Sequence, residues 1–213
     1  MSSAAQSKQG EGQVKFGPFD VSTQVFARNE VAVALVNIKP IVPGHVLVIP
    51  IHPTPLLSDL PPQDIAPFWT LVHQVSSFVK HIYTVSSSTS DSAGTSSSTS
   101  GSALTIGVQD GTLAGQSVPH LHVHILPRRE GDFAENDEIY THLEAFGMSL
   151  FKRQKSLLEP AGVKAEVKEN QAKQSERGLD ASSTRTERSL EEMQKEARWL
   201  ERKWDEGDWN REE

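Results

Sequence analysis

The 213-residue chain contains no cysteine. That excludes disulfides and any mechanism needing a thiolate, although it identifies no compartment. Long apolar runs are missing as well: none approaches the roughly 20 residues that span a bilayer. The first 13 residues are polar and lack the hydrophobic centre of a secretion signal. Positive charge is in deficit, with 21 Lys and Arg against 28 Asp and Glu and a formal charge of −7. Nucleic acid and anionic membranes both call for a basic surface, so neither is expected as a partner. A small phosphorylated substrate needs only a few local donors and stays open. The chain reads as soluble and cytoplasmic, with the nucleus also open, and is long enough for a real core.

Histidine is what the chain has in the right place. In His120-Leu121-His122-Val123-His124-Ile125-Leu126 three imidazoles alternate with aliphatic residues. Successive side chains of a β-strand point to opposite faces. The spacing therefore predicts His120, His122 and His124 on one face, with Leu121, Val123 and Ile125 entering a core on the other. One imidazole in an apolar strand is usually a satisfied core residue. Three on one face bring six ring nitrogens that all need partners, which marks a site rather than a coincidence.

Two chemistries suit such a strip. His-x-His on a strand places two imidazoles about 7 Å apart at Cα, within reach of one zinc ion. Alternatively, one imidazole attacks phosphorus while its neighbours handle charge and protons. The surroundings favour the second. Gln109, Gly115, Gln116 and Ser117 are hydrogen-bonding or backbone-exposing residues suited to phosphate oxygens, and no carboxylate accompanies the histidines as a zinc site would want. His122 is the expected nucleophile, oriented by partners on both sides. His124 is expected to hold a phosphate oxygen or protonate the leaving group, with His120 and His45 in support. Arg128 and Arg129 either add positive potential or form a solvated pair.

The rest of the pattern organises around this strip. Residues 1–15 read as a disordered leader. Val31–Val36 and His45–Ile49 read as strands joined by the Lys39–Gly44 turn. Ile65, Phe68, Val72, Val75, Val79 and Ile82 follow helical 3/4 spacing, with prolines at 61, 62 and 67 crowding the start. Residues 85–103 form a Ser/Thr-rich insertion too polar to order itself. Leu104–Val108 reads as a strand ending at Asp110-Gly111. Residues 148–186 read as a polar linker. The C-terminal helix, 187–204, carries Leu190, Met193, Ala197, Leu200 and Trp204 on one face and is expected to dock on its own domain. An acidic tail, 205–213, ends the chain.

Together these segments resemble the histidine triad superfamily, whose mark is His-x-His-x-His-x-x with apolar x. Within it they resemble the fragile histidine triad branch, the dinucleoside polyphosphate hydrolases. The supporting pieces are Leu35 to Pro40, Pro43 to Val48, Gln109-Asp110-Gly111, Ala114 to Val118, and Pro127 to Phe133 with Asn136 to Tyr140. The likeness covers roughly residues 16–84, 103–147 and 187–204, so the domain spans 16–147. It implies an α+β fold: an antiparallel sheet of about five strands with one long helix, assembled as a homodimer. It implies hydrolysis of diadenosine triphosphate to AMP and ADP through a covalent nucleotidyl-histidine on His122. His124, Gln109 and the Gly115, Gln116, Ser117, Val118 loop would contact phosphates, and Asn37 the nucleoside sugar. Mg²⁺ or Mn²⁺ would arrive on the substrate's phosphates, with no metal held by the protein. A base-contacting residue is expected near Phe16 to Phe19 but is not assigned. Tyr140 lies in a matching segment without an assigned role. The alternatives are a nucleoside phosphoramidase of the same superfamily, a nucleotide-sensing module with slow turnover, and a zinc hydrolase on the same histidines.

Overall fold

The computed structural model describes residues 12–84, 103–143 and 187–210. The Ser/Thr-rich insertion and the 148–186 linker therefore lie outside the described residues, apart from Ala103. The chain opens with a two-stranded hairpin, β1 (Lys15–Phe16) and β2 (Phe19–Asp20). The main sheet follows: β3 (Val25–Arg28), β4 (Ala32–Val36), β5 (Val46–Pro50), β6 (Ala103–Val108) and β7 (Val123–Arg128). Its order is β3-β4-β5-β7-β6 and every pairing is antiparallel. Two helices complete the fold, α1 (Pro62–Thr84) and α2 (Leu190–Glu206). The α+β architecture with a five-stranded antiparallel sheet is the one the motifs imply.

Strand alternation divides the molecule into two layers. Ala32, Ala34 and Val36 of β4, Val46 and Val48 of β5, and Leu121, Val123 and Ile125 share one core with both helices. Val33, Leu35, Leu47 and Ile49 point the other way and pack with Val14, Phe16, Val21 and Val118 around the hairpin. β4 and β5 are buried along their whole length, which is why both read as continuous apolar runs rather than alternating ones. The histidines belong to the hairpin side, because His124 alternates with Val123 and Ile125.

The elements differ from the sequence reading in instructive ways. The strand carrying the triad begins at Val123, so only His124 sits in the ladder, opposite Leu47 and Gly107. His120 and His122 precede it in a non-ladder segment, where the Leu121 N–H donates to the Thr54 carbonyl at 2.6 Å. The two-face alternation survives nonetheless, since His120, His122 and His124 are all buried. α1 starts at Pro62, where a proline's missing N–H costs nothing, and runs on through Pro67. Its buried face uses Phe68, Val72, Val75 and Val79 as expected, together with Leu71 and Phe78, while Ile65 is 45% exposed. On α2, Met193, Ala197 and Leu200 are buried against β3 and β4, and Leu190 is 54% exposed.

The chain ends differ too. Val14, assigned to the leader, is buried, and its N–H donates to Ser22 Oγ at 2.9 Å. The fold is thus already ordered ahead of β1. Beyond α2 the chain turns through Asp208–Asn210, placing the Trp209 ring 4.5 Å from Trp204 and 5.7 Å from Phe78. The stretch read as a tail therefore packs against α1 as far as the described residues go. No described helix is long and apolar enough to cross a membrane.

Candidate active site

Hydrogen-bond partners assign the proton on each ring of the histidine cluster. The N–H of Gly17, in the β1–β2 hairpin, donates to His120 Nδ1 at 3.2 Å. That nitrogen is therefore bare, and His120 Nε2–H donates to the Pro50 carbonyl at 2.8 Å. His122 holds the opposite tautomer, its Nδ1–H donating to the His120 carbonyl at 2.8 Å. His122 Nε2 is left with its lone pair, buried and without a hydrogen-bond partner among the described residues.

A second relay fixes His124. The Ile41 N–H donates to His45 Nδ1 at 3.2 Å, so the His45 proton sits on Nε2. From there it donates to His124 Nδ1 at 2.9 Å, which places the His124 proton on Nε2. Adjacent imidazoles thus present opposite functions, a bare nitrogen on His122 and an N–H on His124, with ring centroids 5.0 Å apart. The Ile41 backbone amide is thus one determinant of the His45 tautomer.

Electrostatics keep the cluster neutral. Burial pulls the His122 imidazole down to about 4, with the neighbouring His120 adding a smaller push in the same direction. Burial also lowers His120, and lowers His124 well below the ordinary value, helped there by His122 and His45. At neutral pH His122 Nε2 is an unprotonated nucleophile with no base required. The Phe16 ring packs edge-on against His122 at 5.2 Å and lies 5.6 Å from His120, so the hairpin supplies much of that burial.

The other expected residues are placed as follows. Gly115 sits at φ +89°, and a Cβ there would come within 2.7 Å of Gln109 Nε2. Only glycine lets the loop approach Gln109 so closely. Gln109 Oε1 and Ser117 Oγ are buried with no hydrogen-bond partner among the described residues, as expected of groups that meet a ligand. Gln116 is turned aside, its Nε2 donating to the Pro55 carbonyl at 2.8 Å. The Val118 side chain belongs to the hairpin cluster, which leaves only its backbone for a ligand.

Asn37 is nearly fully buried. Its Oδ1 accepts the Lys39 N–H at 3.1 Å, and its Nδ2 lies 3.4 and 3.2 Å from the two ring nitrogens of His45. It also borders a cavity of about 460 Å³ lined by Phe16, Phe19, Leu35, Leu47 and Met193. Arg128 does not face the histidines. It is clamped to Asp132 at 2.6 and 2.9 Å with the Phe133 ring 4.9 Å away, and Arg129 donates to the Tyr83 carbonyl. Tyr140 is 63% exposed. Sequence reasoning passed over Phe16 as a cover for the cluster; its neighbour Gly17, in a Phe-Gly-Pro-Phe turn, was the available signal. Among the described residues no group of three or more His, Asp or Glu side chains converges as a metal cage.

Comparisons with known proteins point to one family. Residues 19–131, just over half of the chain, match the HIT domain. The chain is 38% identical over 188 residues to the asymmetrical bis(5'-nucleosyl)-tetraphosphatase of Schizosaccharomyces pombe, covering 88% of this chain and 92% of that one. It is 34% identical over 183 residues to the bifunctional bis(5'-adenosyl)-triphosphatase/adenylylsulfatase FHIT of Arabidopsis thaliana, covering 85% and 79%. To the bis(5'-adenosyl)-triphosphatase of Dictyostelium discoideum it is 36% identical over 130 residues, covering 61% and 76%. The buried three-histidine cluster and these relatives place the chain in the HIT-domain family.

Proposed function

We propose that this protein hydrolyses dinucleoside polyphosphates, cleaving diadenosine triphosphate to AMP and ADP through a nucleotidyl-histidine. The observation that carries the reading is the buried, bare and unpartnered Nε2 of His122 beside the donor tautomer of His124. Relatives bearing dinucleoside tri- and tetraphosphatase names support the substrate class.

One nucleoside occupies the 460 Å³ cavity, its sugar against Asn37 and its base among Phe16, Leu35 and Leu47. His122 Nε2 attacks the α-phosphorus. The N–P bond forms as the bond to the bridging oxygen breaks, and ADP leaves with that oxygen's electron pair. His124 Nε2–H, the Ser117 hydroxyl and the Gln109 amide hold phosphate oxygens and offset the charge that gathers there. Water then attacks the phosphorus, the N–P bond breaks, and AMP departs with His122 neutral again. The divalent ion, Mg²⁺ or Mn²⁺, enters with the polyphosphate as part of the substrate.

A homodimer completes the reading. Ile106, on the edge strand β6, is 48% exposed on the helix side of the sheet, and Ile65 and Trp69 of α1 are 45% and 37% exposed. An exposed apolar side chain on an unpaired edge strand suits a second copy of the chain.

The test is chromatography of products from diadenosine triphosphate and Mg²⁺, with the hydrolysis run in ¹⁸O-water. AMP and ADP in equal amounts, with the label in AMP alone and no products from folded His122→Asn, is the expected result. Turnover of an adenylyl-lysine conjugate in preference to the dinucleotide would shift the reading to a phosphoramidase.

A further inference from the structure

The loop that carries Asn37 and His45 is held at both ends by residues far away in the chain. At one end stands Arg188, just ahead of α2. Its N–H donates to the Ile38 carbonyl at 2.9 Å, while Nε, at 3.1 Å, and Nη2 both donate to the Asn37 carbonyl. At the other end stands Tyr83, on α1. Gly44 sits at φ +83°, and a Cβ there would lie 2.6–2.8 Å from the Tyr83 ring, so the ring lies flush on the turn before His45. Glu196, on α2, joins the two. Its Oε2 accepts Arg188 Nη1, and its Oε1 accepts the Tyr83 hydroxyl at 3.0 Å. Arg129 fixes the Tyr83 backbone carbonyl in turn.

We propose that Arg188, Glu196 and Tyr83 are positioning residues for the hydrolysis, forming a bracket that keeps the 37–45 loop in the register the histidines require. Two donors of this loop meet His45 Nδ1, the Ile41 N–H at 3.2 Å and the Asn37 amide at 3.4 Å. Both lie inside the bracketed loop, and they leave the His45 proton on Nε2 and hence the His124 proton on Nε2. A loop free to shift by a fraction of an ångström loses those donors. His45 then exchanges tautomers, and His124 presents a bare nitrogen to the phosphate for part of the time. Neutral imidazoles have no strong tautomer preference of their own, so the partner decides. Burial of the bracket supports the role: the Arg188 and Glu196 side chains are only 20% and 22% exposed, and the Tyr83 hydroxyl is held neutral by burial beside the Glu196 carboxylate.

The proposal rests on the hydrolase reading for its kinetic arm, but its spectroscopic arm does not depend on that reading. Arg188→Met, Arg188→Lys and Tyr83→Phe are compared with the wild type in the full chain. Two quantities are read: kcat and KM for diadenosine triphosphate, and the ring ¹⁵N shifts of His45 and His124. Arg188→Met is expected to lower kcat by about 10- to 100-fold and to move both rings from single Nε2–H tautomers to mixtures, while KM rises as well because Arg188 borders the nucleoside cavity. Arg188→Lys, which keeps a donor for the Asn37 carbonyl, is expected to restore part of both. Tyr83→Phe keeps the ring on Gly44 and gives a smaller change of the same kind, and it decides the matter if Arg188→Met does not fold. A rise in KM with kcat and both ring tautomers unchanged would overturn the proposal, leaving Arg188 only its place in the wall of the nucleoside cavity. Unchanged histidine shifts in folded variants would also overturn it, whatever happens to kcat. Inactive wild type with shifted tautomers in Arg188→Met would sink the hydrolase reading and leave the bracket standing.

Discussion

At the scale of single residues the site is an arrangement of proton positions. His122 and His124 are chemically identical side chains, yet one offers a lone pair and the other an N–H, because their Nδ1 atoms meet an acceptor and a donor respectively. Burial then removes the charge option from both. This has a consequence for pH. The unfolded chain takes up protons on these rings near 6.5, whereas native His122 does so only near 4. Between those values the unfolded state binds more protons, so stability falls as pH falls, by about 1.4 kcal/mol per pH unit for each such ring. Urea midpoints measured from pH 7.5 to 4.5 should drop steeply below 6.5, and a flat profile would contradict the burial argument. Among samples still folded, the acid limb of kcat/KM should lie well below 6.5, since His122 stays unprotonated down to about 4. Gly115 supplies a second test. Gly115→Ala forces a Cβ at φ +89° to within 2.7 Å of Gln109. It should cost about 1–3 kcal/mol in thermal unfolding and raise KM as Gln109 is pushed away, while the His122 protonation limb stays put.

At the scale of elements, the site is built where a strand meets a hairpin. β7 delivers His124, the segment before it delivers His120 and His122, and the hairpin closes over them with Phe16 and Gly17. The helices pack on the opposite face of the sheet, and α2 reaches the site where Met193 borders the nucleoside cavity and, through Arg188, at the 37–45 loop. Leu200, fully buried in α2 beneath β3 and β4, tests that division. Leu200→Ala should destabilise by about 2–5 kcal/mol while leaving kcat of the folded enzyme within about two-fold of wild type; a large kcat loss with little destabilisation would contradict it. Much of this was legible in the residues. Apolar alternation around the three histidines announced both faces, and 3/4 spacing announced both helices. Three things were not legible. The strand's start at Val123 depends on which neighbour offers a ladder, and Thr54 takes up Leu121 instead. The buried faces of α1 and α2 end short of Ile65 and Leu190, which the 3/4 spacing alone does not show. The short strands β1, β2 and β3 carry too few residues for a period of two to show.

At the scale of the molecule, residues from four separate stretches converge: 16–17, 37–45, 109–124 and 188–196. The last of these is farthest in sequence and holds the second by Arg188. The substrate-contacting candidates were readable because motif and chemistry coincide there. The bracket was not, because an arginine ahead of a helix and a tyrosine near the end of another have no local signature. The proposed dimer belongs to this scale too. Ile106→Glu places a charge on the exposed edge strand, and light scattering should show a shift from dimer to monomer with unchanged far-ultraviolet circular dichroism. A wild-type monomer at micromolar concentration would remove the basis for the dimer.

The proposed reaction depends on His122 Nε2 becoming bonded to phosphorus. Its most direct test is to mix enzyme with excess diadenosine triphosphate, quench in alkali within the first turnovers, digest, and locate the adenylyl group by mass spectrometry. Adenylate is expected on the peptide carrying His122, attached to that ring and absent in His122→Asn. Rapid turnover with no adenylate on any histidine, or with the group on His120 or His124, would contradict it.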